Sequence, residues 1–215
     1  IFADSLNSSG VTFKSLKSSE GPPTATSLIS VTPDGERTMC TYLGACLELA
    51  EHDIDEKIII DSKICYVEGY LWDPPEAKKA LRKAINICKK NNILVAFTLS
   101  DSFCVNRFRG EFIELIKNDI DILFCNEDEI KALYNSKDIN NSIINVIKYC
   151  KILVVTKGNK GSEIISKDNN YILPAIEVNK VIDKNGAGDA FAAGFLFGLS
   201  NDYEIKKCGH LGNIA

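Results

Sequence analysis

Asp183-Lys184-Asn185-Gly186-Ala187-Gly188-Asp189-Ala190-Phe191-Ala192-Ala193-Gly194 is a glycine-rich turn that runs into an apolar, alanine-rich helix read over 186–199. Gly186 and Gly188 carry no side chain, so successive main-chain N–H groups can converge on one point. A helix beginning there adds the positive end of its dipole. Together these make an anion hole out of backbone, able to hold charge that develops on a transferring phosphoryl group. Asp189 stands beside the hole, where a carboxylate can accept the proton of an attacking hydroxyl. The same residues also read as an ordinary helix start with glycines serving the turn, and local physics leaves the two readings open. The turn is not a Walker A loop, because no Gly-Lys-Ser/Thr follows. It is not G-x-G-x-x-G either, because Phe191 occupies the third glycine position.

Upstream of this turn, short apolar runs alternate with helical patterns. Strands are predicted at 64–68, 93–99, 122–125 and 152–156. Between them, Asp73-Pro74-Pro75 opens a helix with Asp73 as its N-cap, and Ala77, Ala80, Leu81, Ala84, Ile85 and Cys88 share one face of it. Further helices are marked by Phe112, Leu115 and Ile116 and by Ile130 and Leu133. Another apolar stretch follows at 143–149, and a last helix runs from Tyr203 onward. Strands apolar on both faces, alternating with helices, predict a parallel α/β sheet with right-handed crossovers. In such a sheet ligands bind at the carboxyl ends of the strands. Two hairpins flank this pattern. One pairs 24–31 with 37–43 around Pro33-Asp34-Gly35, after a polar loop at 17–23; the other pairs 162–165 with 171–173.

Composition narrows the class. The 215 residues carry 25 Lys and Arg against 29 Asp and Glu, a formal charge of −4, which argues against a nucleic-acid binder. No apolar segment reaches the roughly 18–20 residues of a membrane span, and no signal peptide is visible. Cys40, Cys46, Cys65, Cys88, Cys104, Cys125, Cys150 and Cys208 form no C-x-x-C pair and read as buried free thiols of a cytoplasmic protein. His52 and His210 are the only histidines, too few for a structural zinc site or a Ser-His-Asp triad.

Three smaller motifs lie at the predicted strand ends. Asn126-Glu127-Asp128-Glu129 follows the strand at 122–125 and reads by itself as a helix start, with asparagine as cap and acids favouring the dipole. Thr156-Lys157-Gly158 ends the strand at 152–156 and reads by itself as a turn before the second hairpin, with Lys157 open to being a solvated charge. Arg37 follows the hairpin turn, where an arginine is ordinarily solvent-facing.

The run GAGDAFAAGF behind an aspartate resembles the second signature of the ribokinase-like, or PfkB, carbohydrate kinase family. That signature usually reads D-T-x-G-A-G-D and here reads D-K-N-G-A-G-D. The resemblance covers almost the whole chain in the expected order and is nearest the adenosine-kinase-like branch. It implies a ribokinase-like three-layer α/β sandwich with a central, mostly parallel sheet and a small β lid. Residues 1–215 would form one incomplete domain, 24–43 part of the lid, with the chain cut at both ends: IFADSLNSSG reads as a helix running into a glycine stop, CGHLGNIA as a helix without its cap.

The resemblance further implies an ATP-dependent phosphotransferase acting on a hydroxyl of a sugar or nucleoside. Asp189 would be the catalytic base, Gly186, Ala187 and Gly188 the anion hole, and Arg37 a lid residue reaching toward the phosphoryl group. Asn126, Glu129, Thr156, Lys157, Gly158, Asn185 and Asn213 would meet the nucleotide. Glu129 would contact Mg²⁺ through water, and a monovalent cation such as K⁺ would sit near Asp183. A homodimer through the lid follows by the same analogy. The segment T-P-D-G-E-R-T-M and Asn185 favour adenosine or a related nucleoside as acceptor, with ribose, fructose and keto-deoxy sugar acids open. The family's early strands, a substrate-binding acid and a Gly-Gly motif are missing. The competing reading is therefore a nucleotide-binding remnant, or a diverged member, without turnover.

Overall fold

A computed structural model describes residues 2–13, 20–179 and 181–215. The helices are α1 (Phe2–Ser8), α2 (Glu56–Ile60), α3 (Pro75–Lys90), α4 (Ser102–Asn118), α5 (Glu127–Tyr134), α6 (Ile139–Ile147), α7 (Ala187–Ser200) and α8 (Ile205–Ile214). The strands are β1 (Thr26–Val31), β2 (Arg37–Tyr42), β3 (Ile64–Glu68), β4 (Leu94–Thr98), β5 (Ile122–Asn126), β6 (Ile152–Thr156), β7 (Ser162–Ser166) and β8 (Asn170–Leu173). Strands β3 to β8 form one sheet in chain order. The pairs from β3 through β6 are parallel, and β7 and β8 are added antiparallel as the second hairpin. The first hairpin, β1 with β2, stands apart as a two-stranded sheet.

The sheet is sandwiched because its central strands have no polar face. In β5 and β6, side chains alternate between faces as the pleat requires. Leu123, Cys125, Leu153 and Val155 enter one core with Leu81 and Ile85 of α3, Phe112 of α4, Ile130 of α5 and Val146 of α6. Ile122, Phe124, Ile152 and Val154 enter a second core with Phe191 and Phe195 of α7 and Cys208 of α8. Helices therefore cover both faces, the three-layer α/β arrangement expected from the strand composition. The predicted apolar face of α3 is buried throughout.

Some local expectations shift. Helix α3 starts one residue late: Pro74 is its extended N-cap and Pro75 its first residue, while Asp73 instead pairs with Arg107 at 2.5 Å. The ring of Pro75 disfavours helical backbone at residue 74, which pushes the cap past Asp73. All eight cysteines are free, and Cys88, Cys104, Cys125, Cys150 and Cys208 are buried. Cys40, on β2 of the separate hairpin, and Cys46, in the 3-10 turn at Gly44–Glu48 that follows it, are exposed, and Cys65 on the edge strand β3 is half-buried. The predicted loop at 17–23 lies outside the described residues over 17–19. Among the described residues no helix is long and apolar enough to cross a membrane.

Candidate active site at the carboxyl rim of the sheet

The parallel strands end together in two steps, since Thr98 of β4 pairs with Phe124 and β5 and β6 run two residues further. Glu68 of β3 pairs with Thr98 of β4, and Asn126 of β5 pairs with Thr156 of β6. The row Glu68, Thr98, Asn126, Thr156 is thus a polar rim on an otherwise apolar sheet. Helix α7 is fixed against it from the second core. Phe195 meets Phe124 edge-on with ring centroids 5.5 Å apart, and Phe124 meets Tyr66 at 6.1 Å. This docking carries the first turn of α7 to the rim.

That turn holds the residues read as an anion hole. Gly186 is the N-cap, at φ 74°, the left-handed region that glycine occupies without strain. Ala190 N–H donates to Gly186 O at 2.8 Å, and Ala187 N–H donates to Lys184 O at 3.3 Å. Gly188 and Asp189 follow in the first turn, whose N–H groups have no carbonyl one turn back within the helix. A Cβ on Gly188 would meet nothing within 4 Å beyond its own helix and neighbours, so this side of the turn is open. Of the three residues read as the hole, Ala187 already has an internal acceptor through its N–H, and Asp189 adds a donor of its own.

Asp189 is exposed in that turn. Its charge reaches two residues of β3. Burial, and next the Asp189 carboxylate, hold the Glu68 carboxyl above the usual range. The Tyr66 phenol is raised by burial first and then by Glu68, with smaller contributions from Asp189 and Glu129. Glu68 and Tyr66 were not picked out from the sequence. A carboxylate closing the strand ICYVE was the available signal, but only the docked helix shows that it shares a space with Asp189.

Asn126 and Glu129 clasp each other. Asn126 Oδ1 accepts the N–H groups of Asp128 and Glu129 at 2.9 and 2.8 Å. Glu129 Oε2 accepts Asn126 N–H at 3.0 Å, and Oε1 accepts Asn126 Nδ2 at 2.7 Å. This is a capping box at the start of α5. Glu129 is 6% exposed. Burial drives its pKa up to about 7, against the Asn126 N–H, with Asp101 and Asp128 adding to the rise. Among the described residues no group of three or more His, Cys, Asp or Glu could enclose a metal ion.

The remaining predicted residues are placed as follows. Thr156 sits on the rim, its hydroxyl 3.4 Å from Cys125 O, with Gly158 exposed just beyond it. Lys157 is neither solvated nor turned to the rim: its ammonium lies 2.5 Å from Glu163 of β7, the two side chains 19% and 11% exposed. Asn213 joins α8 to the second hairpin, accepting from Ser162 Oγ at 3.0 Å and donating to Pro174 O at 3.0 Å. Asp183 and Asn185 are exposed, and Asp183 Oδ1 accepts Asn185 N–H at 2.8 Å. Arg37 reaches the loop before α7, donating from Nη1 to Lys184 O at 3.4 Å. Two hollows of about 430 and 420 Å³, on the outer face of α3 and beside the edge of β3, are not lined by any of these residues except Tyr66.

The chain matches the pfkB family carbohydrate kinase model over residues 1–215. It is 43% identical to the adenosine kinase of Sinorhizobium meliloti, with a TM-score of 0.97 over the whole chain and 66% of that protein. A probable sugar kinase of Rhizobium etli is 42% identical, with a TM-score of 0.96 over the same shares. The nucleoside kinase of Methanocaldococcus jannaschii is 34% identical over 140 residues, which is 65% of this chain and 43% of that protein. The chain spans about half the length of the curated relatives it matches. With a rim-facing glycine turn, a three-layer α/β fold and a family match from end to end, this chain belongs to the pfkB family of carbohydrate kinases.

Proposed function

We propose that the protein containing this chain transfers the γ-phosphoryl group of ATP to a hydroxyl of a nucleoside or sugar. The observation that carries this is the start of α7, where Gly186, Gly188 and an exposed Asp189 open a helix and the Asp189 charge reaches Glu68 at the carboxyl end of β3. In this reading Asp189 takes the proton of the acceptor hydroxyl as its oxygen bonds to the γ-phosphorus. The bond between that phosphorus and the β-phosphate oxygen breaks, and ADP leaves. The N–H groups around 186–189 hold the charge on the transferring group. Arg37 adds a cation from the lid. Glu68, within reach of the Asp189 charge, is suited to accept hydrogen bonds from other hydroxyls of the acceptor.

Mg²⁺, when bound with the nucleotide, neutralises phosphate charge; Asn126 and Glu129 are the residues that would hold its water shell. Thr156 and Gly158 would meet the nucleotide phosphates through hydroxyl and backbone, since the Lys157 ammonium is engaged elsewhere. Asn185 and Asn213 complete the proposed nucleotide contacts. A monovalent cation beside Asp183 is tested by comparing turnover in KCl with turnover in tetramethylammonium chloride. The lid homodimer and the cytoplasmic location, supported by family analogy and by the free thiols, are tested by sedimentation and by cell fractionation.

The function is tested by ADP release from the full-length gene product with Mg²⁺-ATP and adenosine, ribose, fructose or 2-keto-3-deoxygluconate. The similarity to nucleoside and adenosine kinases supports adenosine as the best acceptor. Turnover with one of these acceptors, lost in Asp189→Asn, supports both the reaction and the base. ATP binding without turnover on any acceptor favours the nucleotide-binding protein without activity.

A further inference from the structure

The turn between β1 and β2 is seated on the loop that precedes α7. The turn is internally braced: Thr32 N–H donates to Glu36 O at 2.9 Å and Gly35 N–H to Thr32 O at 2.8 Å. Asp34 Oδ1 accepts from Thr32 Oγ1 at 2.5 Å and from Glu36 N–H at 3.2 Å. Gly35 is the one buried residue of the hairpin. At φ 79° a Cβ there would stand 3.3 Å from Val181 Cγ1 and 3.8 Å from Ile182 O, so the turn lies close against that loop.

Lys184 ties the two pieces together twice. Its ammonium forms an ion pair with the Glu36 carboxylate. Its carbonyl accepts from Arg37 Nη1 at 3.4 Å. The same carbonyl accepts the N–H of Ala187, the first helical residue of the anion-hole turn. Position 184 is where the chain departs from the family signature. A small hydroxyl side chain there could not span to Glu36, whereas the four-carbon stem of lysine does.

We propose that Lys184 is a positioning residue that locks the lid turn to the anion-hole loop through Glu36 and thereby holds Arg37 at the mouth of the hole. What this accelerates rests on the kinase reading above; the contact itself does not. Both charges are largely exposed, so the lock is a modest, salt-sensitive device that orients groups rather than one that supports the fold.

Two experiments on the full-length protein separate the contact from its role. First, Glu36→Cys with Lys184→Cys is treated with a short bis-methanethiosulfonate, whose reach covers the span of two long side chains that a direct disulfide does not, in a Cys40→Ser, Cys46→Ser background. Crosslinking that dithiothreitol reverses, and that Thr24→Cys with Lys184→Cys does not give, is expected; no crosslink overturns the contact, whether or not the protein proves to be a kinase. Second, Lys184→Met, Glu36→Gln and the double variant are compared in steady-state kinetics. Each single change should lower kcat about 2- to 5-fold with KM for ATP nearly unchanged. The double variant should be no worse than either single, and the differences should collapse at about 0.5 M salt. If Lys184→Met raises KM for ATP and Glu36→Gln changes nothing, Lys184 contacts phosphate directly and the lock is wrong. If crosslinking succeeds but the wild type turns over no acceptor, the kinase reading fails while the contact stands.

Discussion

Glu129 and Asn126 hold each other at the foot of α5, the buried carboxylate accepting from both nitrogens of its partner at 3.0 and 2.7 Å. Two hydrogen bonds do not offset the loss of water around the charge, and the pKa rises from 4.5 to about 7. Folding therefore favours the protonated form. The stability this contributes is fully present below pH 4.5 and is lost as pH rises through 7, on the order of 3 kcal/mol in all. Glu129→Gln should flatten that dependence. Urea unfolding of wild type and variant from pH 5 to 8 in EDTA checks it: a constant difference between the two across this range would show that Glu129 does not titrate there.

Asp189→Asn should separate catalysis from stability. The side chain is exposed in the first turn of α7, where loss of its charge costs the helix about 0.3–1 kcal/mol. Loss of the base should lower kcat by about 10²–10⁴-fold. A variant that keeps its turnover would remove Asp189 from the chemistry.

Gly186 and Gly188 should fail in different ways. Alanine at 186 must adopt φ 74° and should cost roughly 1–2 kcal/mol, read as a lower melting temperature. Alanine at 188 meets no protein atom within 4 Å, so melting should hold or rise. Its methyl would narrow the approach to the turn, and kcat/KM for ATP should fall about tenfold or more. Equal melting losses for the two variants would contradict the open space over the turn.

Lys157→Met should act on the fold. It leaves the mostly buried Glu163 with Asn170 Nδ2 as a donor at 2.8 Å, an uncompensated charge worth on the order of 2–3 kcal/mol given the solvent the pair retains. Urea titration should show the loss, with KM for ATP changed less than about threefold. A large rise in KM with stability intact would return the ammonium to the phosphates.

Much of the architecture was legible in the chain. The runs around Val95, Leu123 and Leu153 are apolar on both faces, which only a sheet covered on both sides can bury, and the six residues of α3 repeat at helical spacing. The helix start before Pro75 was misread by one residue because two adjacent prolines restrict backbone that a side-chain cap would otherwise choose. Cys40 and Cys46 are exposed against expectation because burial depends on what packs over a segment, which local sequence does not encode.

The site divides along the same line. By itself the sequence determined that a glycine turn opens a helix, that an acid stands in its first turn, and that Asn126 can cap the helix that follows it. These are contacts between residues a few positions apart, governed by backbone geometry. Only the tertiary structure brought Glu68 of β3 into the field of Asp189, turned Lys157 onto Glu163, and paired Lys184 with Glu36 across 148 positions of chain. Those contacts exist because strand register and helix docking set which distant side chains meet, and a charged side chain settles on whichever partner that packing places within reach.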